Sequence, residues 1–148
     1  MPVEIRPLRP ADYADWCGLW TEYLNFYSTS LADDVFAATF ARLTGDHPDL
    51  HGLVAVQDGV LVGLTHYIYH RHGWRIEDVC YLQDLYVSPD CRGCGAGRAL
   101  IQAVYDAADA NNTPSVYWLT QDDNAAGRQL YDRIGDLTNF IKYQRGAS

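Results

Sequence analysis

The sequence predicts an α/β fold in which a single mixed sheet carries helices on both faces. Three stretches lead to that reading. Tyr81-Leu82-Gln83-Asp84-Leu85-Tyr86-Val87 is rich in aromatic, aliphatic and β-branched residues and reads as a strand stopped by Ser88-Pro89. Beyond it, Arg92-Gly93-Cys94-Gly95-Ala96-Gly97-Arg98 opens an amphipathic run to Ala110 with Leu100, Ile101, Val104, Ala107 and Ala108 at helical spacing. Ser115 to Thr120 is again β-rich. A strand–loop–helix–strand unit implies a right-handed crossover between parallel strands. The hairpin that precedes it adds antiparallel strands, so the sheet is mixed.

The elements follow in order. Val3 to Leu8 alternates apolar and polar residues as a first strand, closed by Arg9-Pro10. Asp12 is placed to N-cap a helix to about Tyr27, whose broad apolar stripe is Trp16, Leu19, Trp20, Tyr23, Leu24 and Tyr27. Asp33 or Asp34 starts a second helix carrying Val35, Phe36, Phe40 and Leu43 before Gly45. Gly52 to Gln57 and Val60 to His70 are strands joined by Asp58-Gly59, a strong hairpin signal. The next strand is expected from about Ile76 to Val87. After the central helix, Asn111 to Pro114 breaks the pattern, Asn124 opens a helix to about Ile134, and Phe140 to Gln144 is expected as a last strand.

Composition narrows the class. At 148 residues with 48% hydrophobic and 20% charged residues, one domain spanning 1–148 with a full core is expected. No run approaches the roughly 18 apolar residues of a membrane span, and residues 1–6 hold no apolar signal core, so a cytoplasmic protein is expected. The net charge of −8 argues against a general nucleic-acid binder and suits an acidic cleft that gathers a cationic substrate. Four cysteines make no disulfide scaffold at this length, and Cys91 and Cys94 read as small loop residues rather than a zinc or redox pair. His66, His70 and His72 share strand parity but lack a carboxylate cluster, so a polar exposed face accounts for them and no metal is expected.

The glycine loop is where the chemistry begins. Alternating glycines free consecutive N–H groups to point one way, and a helix N-terminus adds its dipole, so the loop is an anion cradle. Arg92-x-x-Gly95-x-Gly97 after Val87-Ser88-Pro89, followed by Asn124, Leu130-Tyr131 and Ile134-Gly135, resembles the acetyl-coenzyme A signature of the GCN5-related N-acetyltransferase (GNAT) family. The resemblance covers about Tyr81 to Tyr143, close to half the chain. Tyr81 to Val87 and Val116 to Thr120 are most similar to the group of spermidine/spermine acetyltransferases and yeast Hpa2/Hpa3 enzymes.

That resemblance implies a GNAT fold of about six or seven strands with a splayed parallel pair. It implies that main-chain N–H groups of Gly93, Cys94, Gly95, Ala96 and Gly97, with Arg98, bind the pyrophosphate of acetyl-coenzyme A, with a charge-assisted contact from Arg92. The pantetheine arm would lie along Leu85, Tyr86 and Val87, where a backbone N–H stabilises the oxyanion. Asn124 would hold a pantetheine amide. Tyr131 lies seven residues further on, about 10 Å along the same helix face. The resemblance gives it the general-acid role toward the leaving thiolate; packing with Leu130 and Ile134 is the alternative.

The base is not carried over. Polyamine acetyltransferases have a glutamate where this chain has Gln83, which cannot take a proton. Asp84, the adjacent carboxylate, is a catalytic base through a water, a substrate-binding carboxylate or a structural acceptor. Strand alternation turns it away from Gln83 unless a bulge intervenes. Gln83, Asp84 and Glu22 are the candidate substrate contacts, and Trp16, Trp20 and Tyr23 are assigned mainly to the core. The implied reaction is acetyl transfer to a small-molecule or peptide amine, with a homodimer expected and neither nucleic acid nor membrane as partner. A non-catalytic acyl-coenzyme A sensor on the same fold is the competing class.

Overall fold

Four strands fold back on one another before the chain crosses over. In the computed structural model, which describes residues 2–46, 49–91 and 93–146, β1 (Glu4–Pro7), β2 (His51–Gln57), β3 (Val60–His70) and β4 (Val79–Val87) are antiparallel neighbours. β5 (Val116–Tyr117) joins β4 in parallel, giving the order β1-β2-β3-β4-β5. The helices are α1 (Tyr13–Phe26), α2 (Asp33–Thr44), α3 (Ala96–Ala110) and α4 (Ala125–Ile134). The chain divides after Trp118 into two compact units, and the sheet with α1, α2 and α3 belongs to the first.

Both faces of the sheet are covered. Trp16, Leu19, Trp20 and Leu24 of α1 and Phe40 and Leu43 of α2 form one core cluster with Val54, Leu64 and Tyr86. Ala96 and Leu100 of α3 pack with Ala55, Leu53, Leu85 and Val87 in another. α3 approaches β3 closely because Gly63 has no side chain. A Cβ there would lie 3.0 Å from the Tyr86 carbonyl oxygen and 3.2 Å from Leu100 Cδ1. The β2–β3 turn places Asp58 at φ 53° and Gly59 at φ 79°, as a two-residue hairpin of matching twist requires.

Several expectations need correction. Among the described residues the sheet has five strands rather than six or seven. Phe140 to Gln144 forms no strand: Phe140, Ile141 and Tyr143 are 77–89% exposed, and a β-rich pattern alone does not supply a ladder for the main-chain groups. β4 starts at Val79, because Trp74 and Ile76 stand in solvent on the preceding turn. Asp12 occupies the N-cap position of α1 without capping it. Its carboxylate instead takes a bidentate pair from Arg6 (2.8 and 3.0 Å) and the Arg9 N–H (2.8 Å), tying β1 to the start of α1.

Two features of β4 position the site. Its ladder to β5 comprises only Cys80–Val116 and Tyr81–Tyr117, and β4 runs six residues past the last of these pairs. On the other side, His66 faces Asp84 whereas Tyr67 faces Leu82, so Gln83 is an extra residue in the β3–β4 ladder. Beside this bulge the Thr65 hydroxyl donates to the Asp84 carbonyl at 2.7 Å.

Candidate active site

The loop between β4 and α3 has the conformation its glycines permit. Gly93 and Gly95 lie at φ 89° and 85°, where a side chain is strained, and open space surrounds both. Gly95 is the N-cap of α3 and offers no side-chain acceptor. The first-turn N–H groups of Ala96, Gly97 and Arg98 lack i−4 acceptors within the helix, as in any α-helix. Gly93, Gly95 and Arg98 are exposed, Cys94 and Gly97 are half-buried and Ala96 is buried. Such a terminus suits an anion. Arg92 lies outside the described residues.

Cys91 and Cys94 are bridged as a disulfide, contrary to their reading as plain loop residues. The short spacing permits it: the Cys94 N–H donates to the Cys91 carbonyl at 3.1 Å, and the turn brings the two Cα atoms to 5.6 Å.

Three residues before the end of β4, Asp84 sits 9% exposed at the centre of a hydrogen-bonded group. The Tyr23 hydroxyl of α1 donates to its Oδ1 at 2.8 Å. His66 Nδ1 lies 3.0 Å from its Oδ2. Trp16 Nε1 donates to His66 Nε2 at 3.1 Å. The Tyr23 ring stacks on Trp20 at 5.0 Å and meets Tyr27 and Tyr86 edge-on at 5.1 and 6.1 Å. Burial and then the Asp84 charge push the Tyr23 hydroxyl well above the usual phenol range. The same two causes raise Tyr27 and Tyr81.

The remaining candidates have distinct surroundings. Gln83 is exposed whereas its neighbour Asp84 is buried. Leu85 and Val87 are half-buried, and Tyr86 is buried with its hydroxyl donating to Glu22 Oε1 at 3.1 Å. That bond fixes the otherwise exposed Glu22 against β4. In the second unit, Asn124 caps α4: its Oδ1 accepts from the Gly127 N–H at 3.2 Å while its Nδ2 donates to Thr120 Oγ1 at 2.9 Å. Tyr131 is half-buried two turns along that helix. Among the described residues, no group of three or more His, Cys, Asp or Glu side chains stands ready to hold a metal.

Comparison with known proteins agrees with this architecture. The acetyltransferase (GNAT) family model matches residues 14–136. The chain belongs to the GNAT family. It is 36% identical to the D-amino-acid N-acetyltransferase HPA3 of Saccharomyces cerevisiae, over 97% of this chain and 90% of that protein. It is 29% identical to the thialysine N-epsilon-acetyltransferase of Mus musculus, over 92% of this chain and 86% of that one. The solved aminoglycoside acetyltransferase AAC(6')-Iy, in complex with a coenzyme A bisubstrate analogue, superposes with a TM-score of 0.84 over the full length of both chains. At 20% identity that likeness shows the fold.

As a GNAT member the protein is an acetyl-coenzyme A-dependent N-acetyltransferase. The sequence singles out the glycine loop, Asp84 and Asn124 as candidates but leaves His66 on an exposed face. That residue is 1% exposed and bonded on both ring nitrogens, not part of a polar exposed face with His70 and His72. The signal lies in register. Pairing Val60–His70 with the strand ending at Val87 brings His66 opposite Asp84, which alternation along one strand does not reveal.

Proposed function

We propose that this GNAT enzyme moves the acetyl group of acetyl-coenzyme A directly to a primary amine of the polyamine, amino-acid or basic-peptide class, with residues 1–148 serving as one catalytic domain. One observation carries the reading. An N-terminal helix turn without a side-chain cap and a buried carboxylate stand on one continuous strand–loop–helix unit, Asp84 only three residues, about 10 Å, from Val87. The anion cradle and the cation-attracting group are therefore neighbours by construction.

The open, left-handed loop fits a diphosphate. In this reading the N–H groups of Gly93, Gly95, Ala96 and Gly97, with Arg98 and Arg92, hold it, the Cys94 N–H being taken by the Cys91 carbonyl, and the backbone of Leu85, Tyr86 and Val87 receives the pantetheine arm. Bound acetyl-coenzyme A supplies an acetyl group activated as a thioester. The Val87 N–H stabilises charge developing on the carbonyl oxygen, Asn124 orients the arm, and the Tyr131 hydroxyl gives its proton to the departing sulfur. Asp84 and Glu22 bind the amine beside Gln83, and Asp84 draws off its proton through a water. No acyl-enzyme is formed. The D-amino-acid and thialysine activities of the two relatives support an amine acceptor. The reading extends to a cytoplasmic homodimer, with neither membrane nor nucleic acid as partner.

The test is coenzyme A release from acetyl-coenzyme A across spermidine, lysine, thialysine, D- and L-amino acids and a basic peptide. Turnover with at least one amine is expected, together with a loss of 10²-fold or so in kcat for Tyr131→Phe at unchanged acetyl-coenzyme A affinity. Tight cofactor binding with no release for any amine overturns the assignment.

A further inference from the structure

The group around Asp84 has a property that acetyl transfer as such does not require: among the described residues no Lys or Arg pairs with its carboxylate. The indole N–H of Trp16 can only donate, so His66 Nε2, 3.1 Å away, must accept. The ring proton therefore sits on Nδ1, where it donates to Asp84 Oδ2 at 3.0 Å. A second ring proton on Nε2 would face the indole N–H, donor against donor. His66 consequently gives Asp84 a hydrogen bond but no positive charge. Tyr23, the donor to Oδ1, is a neutral phenol. Among the described residues the Arg ion pairs are Arg6–Asp12 and Arg75–Glu77, neither of which reaches Asp84.

A carboxylate removed from water without a cation is costly unless its lone pairs are met by donors. Two donors occupy one position on each oxygen, and each carboxylate oxygen can accept another. The Asp84 side chain keeps 11% exposure, so one edge remains within reach of solvent. That edge lies in an aromatic surround: Tyr23 stacks on Trp20 and meets Tyr27 edge-on, while Tyr81 stacks on Tyr117 at 4.7 Å. The phenols of Tyr27 and Tyr81 both feel the Asp84 charge. Ring faces beside a lone carboxylate are what an alkylammonium head prefers.

We propose that Trp16 and His66 are positioning residues that keep Asp84 an uncompensated carboxylate, and that this carboxylate, framed by Tyr23, Tyr27 and Tyr81, is the seat of the acceptor's primary ammonium group. The proposal rests on the amine-acetyltransferase reading and deepens it by assigning the recognition element. The tautomer lock is its central part. Without the Trp16 N–H, His66 is free to carry its proton on either nitrogen or on both. In the doubly protonated form it supplies the cation that the substrate otherwise brings.

The test uses the full chain and n-butylammonium chloride as probe, with n-butanol as the neutral isostere. In ¹⁵N-labelled protein the His66 shifts should report the Nδ1–H tautomer. n-Butylammonium, but not n-butanol, should move the Trp16 indole N–H signal, and Asp84→Asn should abolish that response. In steady-state kinetics, His66→Leu should raise the amine KM about tenfold or more and leave the acetyl-coenzyme A KM unchanged. His66→Asn, whose amide can donate from near the Nδ1 position, should recover most of that loss. Trp16→Phe should weaken n-butylammonium binding while retaining the circular dichroism of the parent. If His66→Leu fails to fold, a near-parental amine KM for His66→Asn and the Trp16→Phe binding loss decide the matter. An Nε2–H tautomer, equal responses to the two probes, or equal losses of kcat for His66→Leu and His66→Asn at unchanged amine KM would overturn the proposal. If n-butylammonium binds as described but no amine is acetylated, the cation seat stands and the proposed reaction fails.

Discussion

Two glycines of the first unit have opposite meanings, although neither adopts a left-handed conformation. Gly18 lies inside α1 with nothing within 4 Å of where a Cβ would stand, whereas Gly63 sits 3.0 Å from a backbone oxygen by the same measure. Gly18→Ala should therefore stabilise the protein by about 0.5–1 kcal/mol, since alanine loses less freedom in a helix. Gly63→Ala should cost about 1–3 kcal/mol, because β4 and Leu100 must both give way. Denaturant titration of the two variants checks the pair, and a shift of the same sign in both would refute the packing of α3 on β3. The sequence distinguishes neither glycine from the other. It does distinguish Gly93 and Gly95, because an alternating run ahead of an amphipathic helix has few structural uses. His66 illustrates the reverse problem, for its role depends on Trp16, 50 residues away in the chain.

At the scale of elements, β1 and α1 are joined by the Arg6–Asp12 pair, and the joint has a pH signature. The Arg6 guanidinium, outweighing the cost of burial, holds the Asp12 carboxyl below its usual value. In the window between the folded and unfolded values the unfolded chain binds the proton more readily. The stabilisation is therefore complete above about pH 4 and drains away as pH falls through the folded value. Asp12→Asn should cost about 2 kcal/mol at neutral pH and flatten the acid limb of the stability curve, as measured by thermal unfolding from pH 7 to 3. An acid limb identical to that of the parent would show that the pair does not carry it. Helices and hairpins were legible because their signals are local: Asp58-Gly59, the acidic start of α2 and the cap at Asn124 all act within one or two turns. The absence of a strand over Phe140 to Gln144 was not, since the segment has β-forming residues but takes no place in the ladder.

For the molecule as a whole, charge is the property that reaches beyond any single contact. A net −8 on 148 residues attracts cations over about 10 Å at moderate ionic strength. Raising sodium chloride from about 20 to about 300 mM should increase the KM for a cationic amine roughly two- to fivefold, while kcat and the KM for the anionic co-substrate change less. An amine KM insensitive to salt would limit recognition to the immediate surroundings of Asp84. This acidity was plain from composition, and the mixed sheet was plain from the order of the elements and the Asp58-Gly59 hairpin. Strand number was not, because it depends on which β-rich segments gain a neighbour.

The surplus residue at Gln83 also governs how the chain can be matched to its kin. A relative whose β4 lacks it must be laid alongside with a one-place gap, and sliding that gap by a single position swaps an amide for a carboxylate. A glutamate in such a relative answers either to an outward-facing place or to the enclosed one beside His66. Superposing the two strands in space, rather than counting letters, decides which.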